Sequence, residues 1–173
     1  MYKILKYIYL FIVVTLLQVL FMNNLTLSVM LSPLVYTAFI VLLPLETSRL
    51  VLLLAGLGCG VVMDSMGAQA GINTIATMFI AFVRPYILNI VVNKEVLAGS
   101  GTPSEARLGV TPFTYYLVYM VVIHAFIYFA FESLSLKNIN LYLPRFIISA
   151  LFSWLFVWLI CRAFSSIINR KVS

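Results

Sequence analysis

LVLLLAGLGCGVVMDSMGAQAGINTIATMFIAFVRPYILNIVV, residues 50–92, is the stretch on which the fold turns. Two apolar runs flank a short segment rich in small residues, DSMGAQAG at 64–71. Neither run alternates apolar and polar residue by residue, so neither reads as a barrel strand. Continuous apolar runs are what a helix needs to cross a hydrocarbon core of about 30 Å. The stretch therefore predicts a helical hairpin inside a membrane: one span over about Leu50–Met63, a tight reversal, and a second span over about Ile72–Val92.

The rest of the chain repeats the pattern. Of 173 residues, 64% are hydrophobic and 9% are charged. A water-soluble domain keeps roughly a quarter of its residues charged, because its surface must face water. The predicted spans are Ile4–Met22, a second within Leu25–Leu45, the two hairpin spans, about Pro112–Phe131, and about Pro144–Cys161. The expectation is an all-α polytopic membrane protein with about six transmembrane helices in one transmembrane domain, residues 1–173. The second span is the weakest, since Ser32-Pro33 interrupts it and its strong part is only Leu34–Leu45. Spans two and three are both short enough to form a re-entrant hairpin instead. Ser48 is the predicted N-cap of span three, and Thr111 that of span five, with Pro112 at the first helical position. The first run is too long for a signal peptide, and Asn23-Asn24 follows it without a small-residue cleavage site.

The net charge is +6, and its placement suggests an orientation. With six spans and a cytoplasmic N-terminus, Lys3, Lys6, Arg49, Lys94, Arg107, Arg162, Arg170 and Lys171 all lie inside, and only Lys137 and Arg145 lie outside. This is the asymmetry of the positive-inside rule, and it puts both termini in the cytoplasm. The same basic residues suit anionic lipid headgroups; no basic cluster carries the interleaved aromatics of a nucleic-acid face, so nucleic acid is not an expected partner.

Few residues stand out chemically. Gly56 and Gly60 form a G-x-x-x-G pair that lets a helix approach closely, either another span of this chain or a partner. Asp64 sits one turn beyond Gly60. A carboxylate is unfavourable at the end of its own helix but favourable against the free N–H groups that open the next. It reads as a cap on the hairpin or, alternatively, as an intramembrane acid facing a partner or small polar ligand. Arg84, beside Pro85, reads as snorkelling to the headgroups or as meeting a partner's carboxylate. His124 stands alone in span five and reads as a packing residue. Asp64, Gln69, Asn73 and Thr77 are candidates to line one polar space. Cys59 and Cys161 lack metal-ligand spacing to each other or to His124. With one histidine, no nucleophile–base set, no zinc motif and no phosphate-binding loop, neither an enzyme nor a cofactor is expected.

The segment GLGCGVVMDSMGAQAGINTIATMFIAFVRPYIL, residues 56–88, resembles the central signature of the rod shape-determining protein MreD family: a Gly-rich span ending in Asp, a small-residue turn, and Gly opening the next span. The matching positions are Gly56, Gly60, Asp64, Gly71 and Arg84-Pro85. A basic N-terminus, then LLQVLFMNN (16–24) and LLPLETSR (42–49), extends the likeness to about Asn93; beyond that it rests on size and span count. The resemblance implies a non-enzymatic subunit of the bacterial cell-elongation machinery in the inner (plasma) membrane. Its implied partners are a bitopic MreC-like protein, an MreB-like actin, and RodA with its transpeptidase, with Gly56, Gly60, Asp64, Gly71 and Arg84 as candidate partner-binding residues. The alternative is a small-molecule-binding subunit like the S components of vitamin transporters, which share this size and a six-helix bundle. Those carry Ala-x-x-x-Ala in span one, whereas Ile4–Met22 contains neither Ala nor Gly.

Overall fold

A computed structural model describes residues 2–22, 31–67, 70–134 and 142–170. Within them the chain is helical, with no strand. In chain order the helices are α1 (Tyr2–Leu16, continued as a π-helical stretch Leu17–Met22), α2 (Thr37–Leu42), α3 (Arg49–Gly67), α4 (Ile72–Val91), the short α5 (Lys94–Leu97) and α6 (Glu105–Leu108), α7 (Val110–Leu134) and α8 (Tyr142–Arg170). Four of them (α3, α4, α7 and α8) are long and apolar enough to cross a membrane, and α1 contributes a shorter apolar helix, Leu5–Leu20.

The bundle is built around α7 and α4. Half of the apolar window of α7 is buried inside the protein, against 22% for α8. Outward-facing Leu5, Leu54, Ile90, Phe126 and Leu151 are all more than half exposed, as expected of side chains that meet lipid tails. Because lipid is as apolar as these side chains, close packing and internal hydrogen bonds must hold the helices together.

The second predicted span is where expectation and structure differ most. Its only helix among the described residues is the six-residue α2, too short to cross, since a helix rises 1.5 Å per residue. Residues 31–36 precede it without regular helix, yet Pro33 through Leu42 are nearly all buried. Non-helical backbone at membrane depth is tolerated only where protein satisfies its polar groups, and side chains from both ends of the chain do so here. Gln18 of the π-helical stretch accepts from Val35 N at 2.7 Å through Oε1 and donates to Pro33 O at 3.0 Å through Nε2. From α8, Ser153 Oγ accepts from Leu34 N at 2.7 Å and Ser149 Oγ from Ser32 N at 3.0 Å.

Other boundaries move in ways that matter. Helix α3 runs past Met63 to Gly67, so Asp64 lies in its last turns and not in the reversal. Ser48 does precede α3, its Oγ 3.4 Å from Val51 N. Helix α7 begins at Val110 rather than Pro112; a proline fits this first turn because its N–H would have no intrahelical partner there. Glu132 belongs to α7 and Arg162 to α8, where loop and tail were expected. The polar segment after α4 is folded: Leu45 N donates to Gly101 O at 2.9 Å, Gly101 N to Glu46 Oε2 at 2.7 Å, and Tyr7 OH meets Thr102 Oγ1 at 2.7 Å. Asn23, Asn24, Gln69, Lys137 and Lys171 lie outside the described residues.

These contacts define two ends. At one, Lys6, the 101–107 loop and Ser165 come together around a cavity of about 430 Å³. At the other, the end of the α1 helix, the α3–α4 turn, the end of α7 and the start of α8 converge on a second cavity.

Candidate functional site

Polar side chains inside the bundle form three groups. The first closes the α3–α4 hairpin. Gly71, at φ +87°, takes the left-handed conformation at the N-cap of α4, which turns the first amides of α4 back toward α3. Asp64, 8% exposed, receives them. Its Oδ1 accepts from Asn73 N at 3.0 Å and Asn73 Nδ2 at 2.9 Å; its Oδ2 accepts from Thr74 N at 2.9 Å and Thr74 Oγ1 at 2.5 Å. The capping reading of Asp64 is the one the geometry bears out. Tyr36 OH then donates to Asn73 Oδ1 at 2.6 Å, tying the non-helical segment into the same network.

Below the cap, α3 and α4 touch backbone to backbone. A Cβ at Gly60 would fall on Thr74 Cα and Thr77 Oγ1, and one at Gly56 would lie 2.9 Å from both Ala81 Cβ and Thr77 O. The helix admitted by the G-x-x-x-G pair is thus α4 of the same chain. Thr77 Oγ1 sits 2.8 Å from Gly56 O and 2.7 Å from Asn73 O, with one proton to share between them. Thr77 is sealed in this contact and lines neither of the two cavities at the ends of the bundle.

The second group surrounds Arg84. It does not snorkel: it is 1% exposed and turns inward from α4. Nε donates to Tyr116 OH at 2.9 Å, Nη2 donates to Leu43 O, and Pro44 O lies 3.4 Å from both terminal nitrogens. Tyr116 OH in turn donates to Val41 O at 3.0 Å. These carbonyls end α2, where a helix leaves its last C=O groups unpaired and its dipole is negative. A planar guanidinium can reach several of them at once. Arg84 therefore acts as a C-terminal cap of α2.

The third group lines the cavity at the α3–α4 turn, which has a volume of about 400 Å³. Its polar walls are Gln18, Ser32, Tyr36, Asn73, Tyr128, Glu132 and Arg145. Arg145 Nη1 is 3.2 Å from Glu132 Oε2, and Nη2 donates to Ser32 Oγ at 2.8 Å. The ion pair is close but poorly directed, since Glu132 Oε2 makes no hydrogen bond to a described residue and Arg145 Nε is likewise unpartnered. Deeper in the core, His124 packs edge-on to Tyr36 at 5.1 Å between ring centroids. Both of its ring nitrogens lack a partner among the described residues.

Gly56, Gly60, Asp64 and Arg84 are thus buried in one internal scaffold, and half-buried Gly71 turns the chain into it. Sequence reasoning missed Glu132, Arg145, Tyr36 and Tyr128, the residues that face open space. A visible signal did exist: Glu132 and Arg145 are the only acid and base at the facing ends of spans five and six. No group of three or more metal-ligating side chains occurs among the described residues. Compared with known protein families, characterised proteins and solved structures, the chain matches none.

Proposed function

We propose that this chain is an MreD-like, non-enzymatic subunit of a bacterial cell-elongation complex. In this reading it sits in the plasma membrane with both termini cytoplasmic and crosses six times, the second pass being the broken segment around α2. It supports lateral peptidoglycan synthesis by holding an MreC-like bitopic protein near MreB-like filaments and a RodA–transpeptidase pair. One observation carries the proposal: the residues of the resemblance, Gly56, Gly60, Asp64, Gly71 and Arg84, all build the α3–α4 hairpin and pin α2 to it. The loop end, with Lys6, Arg49, Lys94 and Arg107, is then the cytoplasmic face that meets anionic lipid.

Since Gly56 and Gly60 are spent on α4, partner docking is assigned to the opposite face of α3. Gly58 lies there with nothing within 4 Å of where a Cβ would stand, beside exposed Leu54 and Val61. The test is affinity purification of the tagged chain from its native membrane in mild detergent, with mass spectrometry of the proteins recovered. An MreC-like protein and elongation synthases should come with it, and Gly58→Leu should remove them while the chain stays folded. Recovery of an ATP-hydrolysing transporter module in their place would favour the second reading, a small-molecule-binding transporter subunit, which the far cavity supports. Recovery of neither would refute the scaffold role.

A further inference from the structure

The cavity between the α3–α4 turn and the α7–α8 ends is more polar than packing requires. Its volume of about 400 Å³ falls within the range of small-molecule sites, roughly 300–1,000 Å³. Its walls combine apolar Leu34, Met63 and Met66 with the hydroxyls of Tyr36 and Tyr128 and the Glu132–Arg145 pair. Each charged group keeps unused capacity. Arg145 and Glu132 line the cavity with side chains still 20% and 13% exposed, while Arg145 Nε and Glu132 Oε2 themselves are enclosed and unpartnered among the described residues. The Tyr128 hydroxyl bonds to no described residue, and Tyr128 is 6% exposed.

Charge balance selects the ligand class. Glu132 and Arg145 cancel, and Asp64 is committed to the amides of α4. A ligand with net charge would leave that charge uncompensated among groups that already balance one another, which is costly wherever they are shielded from water. A neutral ligand without charged groups would add no charge-assisted bond to the accessible parts of Arg145 and Glu132. A molecule with one anionic and one cationic group a few atoms apart satisfies both. We propose that this cavity binds a small zwitterion, its anionic group on Arg145 and its ammonium on Glu132, with Tyr128 donating to the anionic end. Two sources share that chemistry, a free α-amino acid and the headgroup of an ethanolamine phospholipid. No partner protein enters the argument, so the proposal stands or falls separately from the scaffold reading.

The test is thermal denaturation of the purified full chain in detergent. The probes are the common free amino acids and glycerophosphoethanolamine, with amino-acid methyl esters and N-acetyl amino acids as singly charged controls. A ligand that binds only the folded state raises the melting temperature as its concentration rises. A saturable rise is expected with a zwitterion from one source and not with its ester or N-acetyl form; which source gives it identifies the natural class. Glu132→Gln combined with Arg145→Gln should abolish the shift. Because that double variant loses an ion pair and can fail to fold, Tyr128→Phe is the second arm. It breaks no hydrogen bond to a described residue, and it should weaken binding about three- to tenfold without moving the unliganded melting temperature. The proposal is overturned if no zwitterion from either source shifts the melt. It is overturned equally if singly charged controls match their parents, or if Tyr128→Phe binds as tightly as wild type.

Discussion

Replacing Asp64 tests whether the hairpin cap holds the bundle together. In Asp64→Ala all four hydrogen bonds to the carboxylate disappear, two of them from the backbone amides that open α4. Losing a cap costs about 0.5–2 kcal/mol, and each charge-assisted bond contributes about 1.5–3 kcal/mol singly, although bonds to one group do not add. A total near 4 kcal/mol follows. In Asp64→Asn one oxygen can still receive the Asn73 pair, while an NH2 group faces Thr74 N, donor against donor. That leaves about half the cost, near 2 kcal/mol. On the scale of about 2–4 °C per kcal/mol for chains of this length, melting should fall by about 4–8 °C for Asn and about 8–16 °C for Ala. Size-exclusion chromatography of heated, detergent-solubilised protein measures both. If Ala and Asn melt together, or if Ala melts within a degree of wild type, the carboxylate does not cap α4 and the network around it is misread.

Further expectations concern the same scaffold. Gly60→Ala should lower stability by more than about 2 kcal/mol, because the neighbour it meets is Thr74 backbone and cannot rotate away; Gly58→Ala, which meets nothing, should melt as wild type. Arg84→Lys should destabilise by about 2–4 kcal/mol, since a single ammonium cannot reach Tyr116 OH and the Leu43 and Pro44 carbonyls together; a melt equal to wild type would remove Arg84 as the cap of α2. Ser153→Ala leaves Leu34 N without its acceptor and should cost about 1–3 kcal/mol, whereas Ser165→Ala, at the other end of α8, should be neutral in the same melt.

Much of the hairpin was legible because its contacts are local. Asp64 and the amides it caps are 9 and 10 residues apart, and the intervening small residues leave little choice but a reversal. Gly56 and Gly60 could be read as a close-approach face, though their partner had to be seen. Arg84 was not legible. Its partners lie 32 to 41 residues away on two other segments, and nothing in Val83-Arg84-Pro85 tells an inward-facing arginine from one that snorkels. The broken segment around α2 was half visible, since Pro33 and Pro44 bracket it. What hydropathy could not supply was the reason such a segment survives among apolar helices. That reason is a polar set drawn from Gln18, Ser149 and Ser153, and the Ser149–Ser153 spacing of one helical turn is its sole trace in the sequence.

The dependence of Leu34 on Ser153 spans 119 residues, and it sets an order of events during synthesis. A spanning helix satisfies its own backbone and can leave the insertion machinery alone. The segment before α2 cannot, because two of its amides are answered by α8, which is translated more than a hundred residues later. Until α8 arrives, those amides must stay in water or remain sheltered by the machinery. The segment around α2 is in this sense finished only after α8 has been made, although it is made well before α8.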